Sequence, residues 1–315
     1  MQTPVNPNAT PNARKLLDYL SDIAGKKLIT GQHTQTHPME EISYIREKTG
    51  MEPKLRGFEL LAYSPNINLE TASEACSTEV IEARDTLDRA YEWAKNTNGE
   101  GIITFSFHWF SPIGGEDKSF YAEHTDFDAQ RVLVDGTPEQ KAFDHDMAVI
   151  ADHLERFCEA DIPILWRPFH EADGKWFWWG AKGPEVAAGL YKRMYEYYVV
   201  ERKLNNLLWV WNCPLKEGYP GDEYVDVISR DIYLEEYKAT DYADEYRELI
   251  EATTDTKVAA LAEVGYAPDI DIWKESRVPW AYFMTWSKEF IIGEQYNKVA
   301  DLKRLYLSEE TVKIG

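Results

Sequence analysis

Short apolar runs that end abruptly in polar residues recur along this chain, and stretches of helical periodicity separate them. After a Pro/Asn-rich lead, residues 12–24 carry a helical pattern, and 27–31 (KLITG) read as the first strand. An amphipathic segment at 40–48 precedes the second, 54–61 (KLRGFELL), and a long helical pattern over 73–95 precedes the third, 101–108 (GIITFSFH). A helix over 138–160 leads to the fourth, Ile164-Leu165-Trp166, with Arg167 to Glu171 at its exit. A helix over 184–202 leads to the fifth, 207–211, and 225–233 is the sixth. The seventh, 258–265, follows a helix at 242–253. The eighth is 279–286, and a helix near 295–307 closes the series.

Eight apolar strands alternating with helices predict an α/β fold, a single (β/α)8 TIM barrel. Two doubly wound halves would give the same alternation, but no Gly-rich phosphate loop follows any strand and no Gly/Ser linker divides the chain. Residues 1–11 are expected to be a flexible lead and 12–315 one catalytic domain. The acid- and aromatic-rich segment 114–135 is expected to form an extended loop over the active face.

Composition narrows the partners. The chain has 315 residues, 44% hydrophobic and 28% charged, enough to build a substantial core. Lys plus Arg number 34 against 55 Asp plus Glu, a formal charge of −21. Such a chain repels polyanions, so nucleic acid and anionic membranes are poor partners, whereas a neutral polysaccharide is compatible. No apolar run is long enough to span a bilayer. Cys76, Cys158 and Cys213 are far apart, odd in number and without a CxxC pair, which supports neither a disulfide framework nor a zinc cluster. A soluble monomer is the default expectation. The start, MQTPVNPNATPNARK, lacks a signal-peptide pattern. The expected location is extracellular, in a mature form given a new Met, with the cytoplasm as the alternative.

In a barrel of this kind the chemistry lies where strands meet their following loops. Those positions hold His108-Trp109, His170-Glu171, Asn212-Cys213, Asp231, Tyr233, Glu263 and Trp286. Glu171 and Glu263 each sit inside an apolar run (FHEAD and LAEVG), so their burial needs a partner or a function. Placed after the fourth and seventh strands, they can face each other across a central cleft, as glycoside hydrolysis requires. The plainer reading is a buried ion pair with Arg167 or Arg230. The run Trp176-Phe177-Trp178-Trp179 offers flat apolar faces for sugar rings, or simply core packing. His170-Glu171 is not a zincin motif, since Gly174 stands where the second His would be needed. His33 and His37 have helical spacing but follow a strand and precede Pro38, so no metal is expected there. His145 and His153 read as solvated or helix-packing. No nucleophile elbow is present.

On these residues the chain resembles glycoside hydrolase family 26, the β-mannanases. The matching pieces are W-R-P-F-H-E (166–171), G-x-W-F-W-W-G (174–180), D-I-Y (231–233), A-E-V-G (262–265), F-H-W (107–109) and M-T-W (284–286). The resemblance implies a retaining double displacement on internal β-1,4-mannosidic linkages, with Glu171 as acid/base, Glu263 as nucleophile and no metal or cofactor. It implies that Tyr233 hydrogen-bonds the nucleophile and that Trp286 forms a sugar platform. It further implies that His108, His170 and Trp176 shape the site, with Asp231 and Arg167 in support; Trp109, at the exit of the third strand, is a further substrate-binding candidate. Relatives often read H-E-M-N-G where Ala172-Asp173 stand here, a departure that bears on local substrate contacts. Members also act on mixed-linkage β-glucan or β-1,3-xylan, which leaves those polymers as alternatives beside a barrel that only binds carbohydrate. Retention requires the two carboxyl groups about 5–5.5 Å apart.

Overall fold

The computed structural model describes residues 2–37 and 39–315. Its strands are β1 (Leu28–Thr34), β2 (Glu52–Pro53), β3 (Leu55–Glu59), β4 (Ile102–Ser106), β5 (Ile164–Arg167), β6 (Leu207–Asn212), β7 (Val227–Ile232), β8 (Val258–Val264), β9 (Trp280–Thr285) and β10 (Thr311–Ile314). The helices are α1 (Pro11–Ile23), α2 (Glu40–Thr49), α3 (Glu74–Ala83), α4 (Thr86–Asn96), α5 (Pro138–Glu159), α6 (Pro184–Glu196), α7 (Ala243–Ala252), α8 (Ile270–Ser276) and α9 (Val299–Leu307). Strands β1, β3, β4, β5, β6, β7, β8 and β9 pair in parallel in that order, and β9 closes on β1 with Ile29 opposite Tyr282. The eight-stranded barrel expected from the apolar pattern is therefore formed.

Alternation along each strand divides the apolar residues between two cores. Ile29, Leu55, Leu165, Leu208, Val227 and Val258 point into the barrel, where Ala13, Leu16, Leu17 and Leu20 of α1 plug the amino end. Leu28, Phe58, Phe105, Trp166, Trp209 and Phe283 point outward against the helices. Thr10 caps α1 and Thr137 caps α5, each followed by a proline whose missing N–H costs nothing at that position.

Local departures from the expected elements have physical causes. The long helical pattern over 73–95 is two helices, because the Tyr63 phenol sits at the break. It donates to the Arg84 carbonyl at 2.6 Å and accepts from the Leu87 N–H at 3.4 Å. The pattern over 184–202 ends in a wider, π-type turn at Tyr197–Glu201. Short α8 and the β2–β10 antiparallel pair were not legible, being too short to show a period. Between β6 and β7 the chain forms a 3-10 turn, Lys216–Gly218, in place of a full helix. The Pro/Asn lead lies against the barrel: the Val5 N–H donates to Asp226 at 2.8 Å, and Asn6 is buried and bonds Asn205 at 2.9 Å.

Candidate active site

Two irregularities bring the acidic side chains together. Along β8, strict alternation from Val258 and Ala260 would carry Ala262 inward and leave Glu263 among the outer helices. The register slips between β7 and β8, so that Arg230 lies opposite Leu261 but Asp231 lies opposite Glu263. Leu261 and Val264 both belong to the outer core, three residues apart, so one residue is absorbed as a bulge and Glu263 turns into the barrel. Glu171, just past β5, has a left-handed backbone (φ 50°), and its N–H donates to the Asn212 Oδ1 at 2.6 Å. That bond from the adjacent strand holds a conformation that non-glycine residues seldom adopt.

One carboxylate oxygen from each of Glu171, Asp231 and Glu263 lies within 4.8 Å of the others. Arg167, fully buried, is the cation at this cluster. It donates to Asp231 at 2.7 Å, to Ser106 at 2.8 Å and to Glu263. Burial opposes its charge, but the Asp231 and Glu263 carboxylates outweigh that and raise its pKa. The Tyr233 phenol donates to the second Glu263 oxygen at 2.8 Å. Glu263 is thus the ion-paired carboxylate, acceptor-only and fixed on both oxygens. Asn212 donates to Asp231 at 2.8 Å and to Ser229 at 3.0 Å, so one amide fixes both Asp231 and the Glu171 backbone. A trio of carboxylates could hold a hard cation, but here the guanidinium fork already spans two of the three.

Glu171 lacks the guanidinium hydrogen bond that Glu263 receives from Arg167. Burial raises its pKa, the Glu263 charge raises it further, and the Trp176 indole N–H at 2.7 Å on its Oε2 lowers it; the net value is about 7. Two carboxyl groups with environments this different divide acid and base roles between them.

A layer of imidazoles and aromatic rings surrounds the carboxylates. His108 donates Nδ1–H to Glu59 at 2.8 Å, and its backbone N–H donates to the same carboxylate at 2.9 Å. Burial lowers the His108 pKa, yet Glu59 and then Glu263 outweigh it and the net shift is upward. The His108 and His170 Nε2 atoms are 3.3 Å apart. Burial and the neighbouring His108 and Arg167 charges push His170 well down, so it is the neutral ring and accepts on Nε2. Its proton then sits on Nδ1, which has no hydrogen-bond partner among the described residues. Trp286 stacks on His33 with centroids 3.9 Å apart and planes inclined by 20°, is half-buried, and has the His108 ring edge-on at 5.9 Å. A Cβ at Gly57 would lie 2.8 Å from the His33 ring, so glycine is needed for His33 to tuck beneath Trp286.

Segment 114–135 is pinned beside the site. Tyr121 stacks on Phe177 at 5.7 Å, the Ala122 N–H donates to the Trp176 carbonyl at 2.7 Å, and the Trp178 N–H to the Phe120 carbonyl at 3.1 Å. Of the four consecutive aromatics, Phe177, Trp178 and Trp179 are core, while Trp176 is 49% exposed. Core and cleft readings of that run are therefore both realised, at different residues.

Trp109 does not reach the cleft. It is fully buried, stacks on Phe107 and Phe143, and donates its indole N–H to Asp146 at 2.9 Å. Its neighbour His108 takes the cleft side, so Trp109 faces the wall. Arg230 pairs with Glu248 on α7, outside the barrel, which leaves Arg167 as the guanidinium of the site. Glu59 and Asn212 are the polar residues that the sequence reading left without a role. Glu59 carries the same signal that drew attention to Glu171 and Glu263, a carboxylate in an apolar run (GFELL) at a strand exit.

With this geometry in place, comparison with known proteins gives a consistent result. The model for glycosyl hydrolase family 26 matches residues 5–314. A mannan endo-1,4-beta-mannosidase of Thermothelomyces thermophilus is 36% identical over 312 residues, 96% of this chain and 61% of that protein. Mannan endo-1,4-beta-mannosidase B of Piromyces sp is 32% identical over 98% of this chain and 52% of its own length. The chain thus spans half to three-fifths of these relatives. The crystal structure of a Podospora anserina GH26-CBM35 beta-(1,4)-mannanase superposes with a TM-score of 0.87 at 35% identity, covering 99% of this chain and 68% of that one.

Proposed function

Because this chain belongs to glycosyl hydrolase family 26, we propose that it cleaves internal β-1,4-mannosidic linkages of mannan, glucomannan or galactomannan with retention of configuration. The observation that carries this reading is the approach of Glu171 and Glu263 to within 4.8 Å, the spacing of a retaining pair and too close for an inverting one, which needs about 6.5–9.5 Å.

On this reading the sugar ring at the cleavage point lies on Trp286, with the scissile oxygen toward Glu171. Glu171 gives its proton to that oxygen as the C–O bond breaks. The Glu263 carboxylate, held by Arg167 and Tyr233, bonds to the anomeric carbon and forms a glycosyl ester. Once Glu263 is esterified its negative charge is gone, and with it one of the two influences that raise the Glu171 pKa. Glu171, now the stronger acid, is left as carboxylate and takes a proton from the incoming water. The oxygen of that water bonds to the anomeric carbon, and Glu263 leaves as carboxylate. His108, fixed by Glu59 and facing His170, keeps the wall beside the carboxylates rigid, and Asp231 keeps Arg167 in register with Glu263.

The same reading makes residues 12–315 the catalytic domain, acting as a single chain outside the cell, where a polymer is met. The relevant test is product analysis on glucomannan, mixed-linkage β-glucan and β-1,3-xylan, with the anomeric form followed by NMR. Manno-oligosaccharides of several lengths, released first as the β-anomer, are expected. Products from glucan or xylan alone, or initial α-anomer, would reject the proposal.

A further inference from the structure

A continuous run of aromatic rings leads from the carboxylates to the rim of the barrel. Tyr233, the phenol on Glu263, packs on Phe290 with centroids 5.3 Å apart. Phe290 packs on Tyr296 at 4.4 Å, Tyr296 on Tyr266 at 5.4 Å, and Tyr266 on Tyr237 at 5.5 Å. These rings come from the loops after β7, β8 and β9, all at the carboxyl end of the barrel. Asn297 fastens the loops together: its amide donates to the Gly265 carbonyl at 2.9 Å and the Phe290 carbonyl at 2.6 Å, and its oxygen accepts from the Ala267 N–H at 2.9 Å. Tyr266 is buried and roots the run, while Tyr233 and Tyr237 at its ends are 40% and 55% exposed.

Exposed aromatic residues scattered singly need no explanation. Tyr237 is not scattered. It is the outer end of a run that begins on Glu263, it stands edge-on to Tyr266 at 69°, and Asp269, Asp301 and Arg304 line the shallow recess beside it. A flat ring on a rigid mount with polar groups alongside is the chemistry that binds a sugar: the ring meets the C–H face and the polar groups meet the hydroxyls.

We propose that Tyr237 is a distal stacking platform for sugar units of a bound polysaccharide lying beyond those at the carboxylates. This rests on the polysaccharide reading above. Such a platform strengthens the binding of long chains and leaves short ones untouched, because a trisaccharide is held at the cleavage site alone.

The test compares wild type with Tyr237→Ala and Tyr237→Phe on glucomannan and on mannotriose, with retardation in gels containing glucomannan as a second readout. In Tyr237→Ala the KM for glucomannan is expected to rise about three- to tenfold, the worth of one ring contact, with kcat unchanged and weaker retardation. Its kcat/KM on mannotriose and its melting temperature should match wild type, and Tyr237→Phe should behave as wild type on both substrates. If Tyr237→Ala cleaves and binds glucomannan like wild type, or loses as much on mannotriose, the platform is overturned and the activity stands. If wild type neither cleaves glucomannan nor is retarded by it, both readings fall.

Discussion

Trp176 donates its indole N–H to the Glu171 Oε2 at 2.7 Å, so a ring half open to the cleft is also a direct partner of the carboxyl group at about pKa 7. Its hydrogen bond favours the carboxylate, against burial and the Glu263 charge, which favour the acid. Exposure to solvent and an influence on the Glu171 proton affinity are therefore joined in one residue.

The consequence is a pH profile with a defined sign. The acid form of Glu171 is lost as pH rises through about 7, so kcat/KM should fall on the alkaline side near that value. Trp176→Phe removes the bond that stabilises the carboxylate. The alkaline limb should then move upward, by about one unit, even as overall activity falls. A limb that stays in place or moves down would contradict the assignment.

Glu171→Ala should separate acid from base work. Activity on glucomannan, whose leaving group needs a proton, is expected to drop about 10²–10⁴-fold. A mannoside with a nitrophenolate leaving group should still form the glycosyl ester, and added azide should speed its turnover and yield the β-glycosyl azide. Glu263→Ala should form neither product. Kinetics on the two substrate types, with and without azide, check both outcomes.

Arg167 holds Asp231, Glu263 and Ser106 with one planar fork. Lysine keeps the charge but not the fork, so Arg167→Lys is expected to lower kcat about 100-fold through misplacement of Glu263. Arg167→Met strips the cation from two buried carboxylates and should cost about 3–5 kcal/mol of stability, read by urea unfolding.

Asp146 offers a stability test away from the cleft. Burial raises its pKa to about 7 despite hydrogen bonds from Trp109 and Asn66. The folded state thus favours the protonated acid, and this contribution to stability, fully present below about pH 4, is lost as pH rises through 7. Asp146→Asn keeps an oxygen for the Trp109 N–H and carries no charge. Its melting temperature should decline less than that of wild type between pH 5 and pH 8, with the difference largest at the alkaline end.

Much of this architecture was readable from residue order. All eight barrel strands follow from short apolar runs with polar exits, since a strand covered on both faces leaves that mark. Glu171 and Glu263 were singled out because a carboxylate inside an apolar run demands compensation. The same rule applied to GFELL points to Glu59, which anchors His108. Trp109 shows the opposite error: it stands next to His108 in sequence but faces the wall rather than the cleft.

Residue order by itself determined the barrel and the acidic residues available to the site, because short apolar runs and their polar exits are local properties of the chain. It did not determine that Glu263 faces Asp231 and Arg167. Counting by twos from Val258 sends Glu263 outward, and only the slip against β7, which absorbs one residue between Leu261 and Val264, turns it into the barrel. The left-handed turn at Glu171 likewise depends on Asn212 from the neighbouring strand. Both are settled by pairing between strands distant in sequence, where the register that buries every other side chain also sets the direction of the reacting ones.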